Sequence, residues 1–105
     1  MTNTDWYRYY APRRLAVLTS ERIAADGAAA EADIDALLAR IELTPDDRIL
    51  EVGCGWGCHA LALAWRGFSR VCSIDIAPEP LTIARALASE RGLRCTFRQQ
   101  NFREV

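Results

Sequence analysis

Ile49-Leu50-Glu51-Val52-Gly53-Cys54-Gly55-Trp56-Gly57 joins a short apolar strand, an acid near its end and three alternating glycines in one run. Glycine has no Cβ, so such a loop reaches backbone angles closed to other residues and lets a ligand lie close to the strand end. A helix is expected from about Gly57 to Trp65 or Arg66. Its free amides and positive dipole end would point at that ligand. Further on, Val71-Cys72-Ser73-Ile74-Asp75 reads as a second strand that ends in a second acid. The two elements together point to a site for a nucleotide-like ligand.

Around this centre the pattern alternates. Residues 15–24 are weakly helical, and Gly27 is expected to interrupt them. Ala30, Ile34, Leu37, Leu38 and Ile41 then recur at helical spacing. Leu43-Thr44-Pro45-Asp46-Asp47 turns the chain into the first strand. Gly67 is placed to cap the helix after the loop, and Pro78 and Pro80 open the next one. Leu81, Ile83, Ala84, Leu87 and Ala88 form the buried stripe of that helix, and Gly92 ends it. Residues 94–98 read as a third strand, running into Gln99-Gln100-Asn101-Phe102. Strands separated by helices imply right-handed crossovers and a parallel sheet. The expectation is therefore α/β: three parallel strands in order 3-2-1, with helices on both faces. Residues 1–27 are read as an N-terminal arm and helix, and residues 28–105 as the domain proper.

Composition limits the alternatives. A chain of 105 residues supports one small domain, and a net charge of −1 gives no electrostatic reason for nucleic acid or an anionic membrane as partner. Half the residues are hydrophobic, enough for a core, yet no apolar run approaches the roughly 20 residues of a membrane span. The first residues lack the basic-then-apolar pattern of a secretory signal. Cys54, Cys58, Cys72 and Cys95 fall in strands or around the glycine loop, which suits free thiols in a reducing, cytoplasmic setting better than a disulfide scaffold. Trp6-Tyr7-Arg8-Tyr9-Tyr10 followed by Pro12-Arg13-Arg14 reads as a terminal arm.

The spacing of the loop narrows the ligand. A dinucleotide loop runs Gly-x-Gly-x-x-Gly, shaped for a pyrophosphate, and a phosphate-binding loop carries a lysine. Here the spacing is Gly-x-Gly-x-Gly, no basic residue follows, and Glu51 precedes it. An acid at that strand end opposes a phosphate and favours a positive amino group. Asp75, at the tip of the second strand, suits ribose hydroxyls. A ligand with a ribose, a cationic amino-acid end and no pyrophosphate is S-adenosylmethionine. Ile76 is placed to lie on the adenine face, and Asn101 and Phe102 to hold its edge and close its slot. The expected cofactor contacts are thus Glu51, Gly53, Cys54, Gly55, Asp75, Ile76, Asn101 and Phe102. Trp56 either lines this pocket or covers the loop. Cys54, Cys58 and His59 lack the second pair that a zinc site needs, so no metal is expected. His59 reads as a surface or packing residue, and Leu61, Leu63 and Trp65 as core.

Glu51-Val52-Gly53-Cys54-Gly55-Trp56-Gly57 resembles motif I of class I S-adenosylmethionine-dependent methyltransferases. With Gln100-Asn101-Phe102-Arg103-Glu104-Val105, it looks most like the cyclopropane-fatty-acid synthase branch. That branch typically shows Gly-Cys-Gly-Trp-Gly-Gly in the loop and Gln-Asp-Tyr-Arg-Asp after the third strand. The resemblance covers roughly residues 43–105. Two departures stand out: Cys58 where the branch has glycine, and Asn101 where it has the aspartate that accepts from the adenine amino group.

The resemblance implies the first half of a Rossmann-like methyltransferase domain, transfer of a methyl group, and a lipid alkene as acceptor if the branch holds. It also implies a seven-stranded sheet, of which only three strands are read here. The first strand would then have a bare edge, open to self-association or a partner chain. The alternative expectation is a non-catalytic fragment or partner subunit acting through that edge. No catalytic base is read in this chain.

Overall fold

A computed structural model of the 105-residue chain describes residues 19–53 and 55–104. The aromatic arm and Cys54 lie outside the described residues. Helix α1 spans Ser20–Leu38, strand β1 Ile49–Val52, helix α2 Cys58–Trp65, strand β2 Val71–Asp75, helix α3 Pro78–Glu90 and strand β3 Thr96–Gln99. A short 3₁₀ turn, Phe102–Glu104, follows. No described helix is long and apolar enough to cross a membrane.

The three strands pair in parallel in the order β1-β2-β3, as expected. Ile49 lies opposite Val71 and Glu51 opposite Ser73, while Ser73 also pairs with Phe97. Because side chains alternate along a strand, these residues share one face. That face carries the core: Val71 and Phe97 meet Ile34 of α1, Leu61 and Leu63 of α2, and Leu81, Ala84 and Ala88 of α3. The three described helices therefore pack into one cluster on one face of the sheet, not on both. Right-handed crossovers that step twice in the same direction put both crossover helices on the same side. The other face leaves Leu50 and Val52 of β1 half exposed, each at 51%. Within the described sheet, β1 is an edge strand.

Gly27 does not interrupt α1, which runs unbroken from Ser20 to Leu38, so the expected division at residue 27 falls inside a helix. A mid-helix glycine costs about 1 kcal/mol, but Ala24, Ala25, Ala28, Ala29 and Ala30, the best helix formers, lie around it. A Cβ at Gly27 would lie 4.0 Å from the Trp56 ring, an ordinary contact, so packing does not require glycine here. The start is fixed by Thr19, whose hydroxyl accepts from the Arg22 amide at 3.1 Å. Ile41 lies past the helix end and is exposed. Trp65, expected in the core, is 71% exposed at the last residue of α2. Ala60 to Ala64 are all buried, so α2 has no clear polar face from which periodicity could have read Trp65's direction.

Arg66 clasps α1 to α2. Its guanidinium pairs with Glu31 and Asp35 at 2.6 Å each and donates to the carbonyls of Ala62 and Glu31. The side chain is only 20% exposed, and both acids come from α1. Arg66→Ala is expected to cost about 1–3 kcal/mol, the range for losing charge-assisted bonds in a partly buried site. Hydrogen exchange should show the loss as faster exchange across α1, with the β2 amides little changed.

Candidate functional site

The site is built where β1 and β2 end. Gly53, Gly55 and Gly57 all have left-handed φ, at 74°, 55° and 84°. They serve two different ends. At Gly57 a Cβ would lie 2.6 Å from Phe97 Cε1 and 3.0 Å from Ala84 Cβ, so this glycine lets the loop pack onto the core. At Gly53 and Gly55 a Cβ would meet nothing within 4 Å. Those two positions border a cleft of about 670 Å³, within the usual size range of small-ligand pockets.

The cleft gathers Glu51, Gly53, Gly55, Asp75, Ile76, Asn101 and Phe102, every expected contact that is described. The Gly53 amide donates to the Ile74 carbonyl, and the Gly55 amide to Asp75 Oδ2, both at 2.9 Å. These amides therefore tie the loop to β2, and Gly53 and Gly55 leave bare Cα positions beside the cleft. Asp75 Oδ1 accepts from the Ala77 amide at 2.9 Å. The carboxylate is thus held rigid by one backbone bond to each oxygen, and each oxygen keeps a lone pair for a ligand hydroxyl. Asn101 Oδ1 accepts from the Arg103 amide at 3.0 Å and so caps the short 3₁₀ turn. Phe102 is exposed at the rim, with the Arg103 guanidinium 5.9 Å from its ring centre.

Glu51 sits deeper. Its Oε1 accepts from the Ser73 hydroxyl at 3.1 Å, and its Oε2 lies 3.7 Å from His59 Nδ1. Burial pushes the Glu51 carboxyl above its ordinary value of 4.5; the Ser73 bond and His59 pull the other way, and the Asp75 charge adds to the rise. The cleft also holds Asp26 and Asp33, against Arg22 and Arg103. Arg22 is paired with Asp26 at 3.2 Å. The inner lining therefore suits a cationic group near Glu51, a diol near Asp75 and a flat apolar ring between Ile76 and Phe102. No lysine or arginine stands in the loop to take a phosphate. These residues fit S-adenosylmethionine.

Periodicity and motif spacing did not disclose the cleft's far wall. Asp26, Ala29, Ala30 and Asp33 of α1 form it. Trp56 is buried, lines the cleft, and donates from Nε1 to Asp26 Oδ2 at 3.1 Å. His59, read as a surface or packing residue, also lines the cleft, 3.0 Å from Asp33 through Nε2. Ser73, the one buried polar side chain among the described residues, holds Glu51. A serine inside an otherwise apolar strand is the signal that could have found it. Burial and the nearby Glu51 charge raise the thiols of Cys58 and Cys95, the latter to about 11. Both are protonated at neutral pH and are poor nucleophiles or metal ligands. Among the described residues, no group of histidine, cysteine and acidic side chains could hold a metal.

The family described as "Methyltransferase domain" matches residues 49–105. Among curated proteins, the ubiquinone biosynthesis O-methyltransferase of Xanthomonas campestris pv. campestris (strain B100) is 36% identical over 72 residues, covering 69% of this chain and 29% of that protein. The protein of the same name from Aeromonas salmonicida is 40% identical over 57 residues, covering 54% and 24%. This chain thus spans under a third of the length of these relatives. Among solved structures, coclaurine N-methyltransferase bound to N-methylheliamine and SAH aligns with a TM-score of 0.64 at 20% identity, covering 70% of this chain and 22% of that one. That likeness bears on the fold. The [4+2]-cyclase SpnF aligns at 0.62 with 32% identity, covering 68% and 27%. A cyclase among the neighbours is a reminder that the fold alone does not fix the chemistry.

These relatives correct one expectation. They are O-methyltransferases of ubiquinone biosynthesis, not cyclopropane-fatty-acid synthases. The branch reading rested on the loop Gly53 to Gly57 together with Gln100 to Val105; within that loop the structure gives Trp56 a local reason, since its Nε1 bonds Asp26.

Proposed function

The chain belongs to the methyltransferase domain family, and on that basis we propose that it is the part of a methyltransferase that binds S-adenosylmethionine. The observation that carries this is the pair of strand-end acids, Glu51 and Asp75, on either side of a glycine loop that lacks a phosphate-binding cation. The group supplies an activated methyl for displacement by an acceptor. Glu51 binds and orients the ammonium at one end. Asp75 accepts from the ribose hydroxyls. Ile76 and Phe102 enclose the adenine, and Asn101 reaches its edge. Gly53 and Gly55 leave room for the ligand against the loop, and Cys54, between them in sequence, is assigned to the same set of contacts. Alignment of donor and acceptor is the main requirement of such a transfer, and these residues fix the donor's half of it. Transfer to an oxygen acceptor, as the names of the relatives suggest, and a cytoplasmic setting belong to the same proposal.

Equilibrium dialysis separates this reading from its rivals. The chain is expected to saturate with S-adenosylhomocysteine and not with a nicotinamide dinucleotide. Equal uptake of both, or of neither, would rule the reading out.

Glu51 adds a pH signature. Its carboxyl is raised in the folded chain by burial, so the folded state holds the proton more tightly than the unfolded one. The cost of burying its charge is fully present above the folded value and is relieved as pH falls toward 4.5. Ligand binding has the opposite sign, because a protonated Glu51 cannot pair with an ammonium. Affinity for S-adenosylhomocysteine should fall as pH drops through this window. Affinity for 5′-methylthioadenosine, which lacks the amino-acid end, should stay level. Titrations of the two ligands at stepped pH check the contrast, and parallel curves would speak against Glu51's assignment.

A second reading has one observation in its favour. Leu50 and Val52 lie half exposed on the edge strand β1, a surface suited to a second copy or another chain. Under this reading the chain acts through that edge without turnover. Sedimentation at two concentrations tests it, since a mass that stays monomeric at both speaks against self-association through β1.

A further inference from the structure

His59 is held from two sides inside the cleft. Its Nε2 lies 3.0 Å from Asp33 Oδ2 on α1. Its Nδ1 lies 3.7 Å from Glu51 Oε2 at the end of β1 and 3.7 Å from the Cys58 thiol beside it. The other Glu51 oxygen accepts from Ser73, which is wholly buried. One oxygen of the carboxylate is therefore fixed by the neighbouring strand. The other faces a ring whose own orientation is set by a carboxylate, the usual way a protein fixes an imidazole's tautomer and angle. The ring keeps 39% of its surface exposed and is not part of the hydrophobic core, so packing does not account for it. Without it, Asp33 and Glu51 lose the group that lies between their like charges.

We propose that His59 is a positioning residue for the amino-acid end of the cofactor: it aims Glu51, and through Asp33 it couples that aim to the seating of α1. The assignment rests on the proposed cofactor reading and deepens it. His59 acts through Glu51 and does not touch the reacting atoms. It makes α1 part of the binding apparatus, with Asp33 as the contact that transmits the helix's position to the strand end.

Two ligands separate positioning from mere support of the fold. S-adenosylhomocysteine carries the amino-acid end, and 5′-methylthioadenosine keeps only the ribose and adenine. Calorimetric titration of the whole chain should show that His59→Ala weakens the first by about fivefold, the upper end for a charge contact longer than a hydrogen bond. The second should change by no more than about twofold. Asp33→Asn, which keeps the ring but loosens its anchor, should give the same selective loss at about half the size on a logarithmic scale. His59→Asn, whose amide can still donate toward Glu51, should recover part of the lost affinity. Equal weakening of both ligands in His59→Ala would overturn the assignment and leave the cofactor reading intact. Selective loss in His59→Ala with no change in Asp33→Asn would overturn the link to α1. A wild-type chain that binds neither ligand removes the cofactor reading, and this assignment with it.

Discussion

Asp75→Ala is expected to abolish measurable binding of S-adenosylhomocysteine. The carboxylate stands to lose two ribose contacts, each a hydrogen bond to a charged group worth about 1.5–3 kcal/mol. Together they correspond to a fall in affinity of roughly a hundredfold or more. The same change also removes the acceptors of the Gly55 and Ala77 amides. The loop is then no longer tied to β2 through this side chain, so a stability loss of about 1–3 kcal/mol should accompany it. Asp75→Asn separates the two effects. Its single carbonyl oxygen can hold one backbone amide but offers fewer acceptors to the ribose, so it should recover more stability than affinity. Calorimetry and urea unfolding on the same samples check both. Full retention of binding in Asp75→Ala would remove Asp75 from the site.

Gly57→Ala should unfold the domain at mild temperature without touching any expected ligand contact. The residue sits at φ 84°, where an L side chain is strained by about 1–2 kcal/mol. Its Cβ would also lie 2.6 Å from Phe97 Cε1 and 3.0 Å from Ala84 Cβ. Phe97 is buried and Ala84 fully so, which leaves neither side chain free space to withdraw into. Overpacking of this kind adds about 1–3 kcal/mol. A total of about 2–5 kcal/mol is a large share of a small domain's stability. Gly53→Ala makes the matched control: its φ is also positive, but its Cβ meets nothing within 4 Å. It should lose only the backbone part, and it should affect ligand binding more than Gly57→Ala does per unit of stability lost. Equal melting temperatures for the two variants would contradict the packing role given to Gly57.

The strand order and the glycine loop were legible because each is encoded within a few residues. A strand, an acid and three glycines lie side by side in Glu51 to Gly57, and Asp75 closes the next strand. Two alternating crossovers then leave few topologies to choose from. The far wall of the cleft was not legible, because it depends on contacts between distant residues. Asp26 meets Trp56 across 30 positions and Asp33 meets His59 across 26. Each acid alone reads as an ordinary solvated residue on the polar face of a helix. Gly27 misled for a different reason: its local cost of about 1 kcal/mol is real but too small to break a helix that its neighbours hold from Ser20 to Leu38. Asn101 shows the limit from the other side. Its place in the cleft was legible, yet its oxygen also caps the following turn, a role that asparagine performs with no ligand present.

The most direct test of a cofactor site at the ends of β1 and β2 is amide chemical-shift mapping of the ¹⁵N-labelled chain during titration with S-adenosylhomocysteine. The largest shifts should fall on Gly53, Gly55, Asp75, Ile76 and Asn101, with smaller ones on α1 around Asp33. Shifts confined to the outer sheet face around Leu50 and Cys72, or none at millimolar ligand, would contradict it.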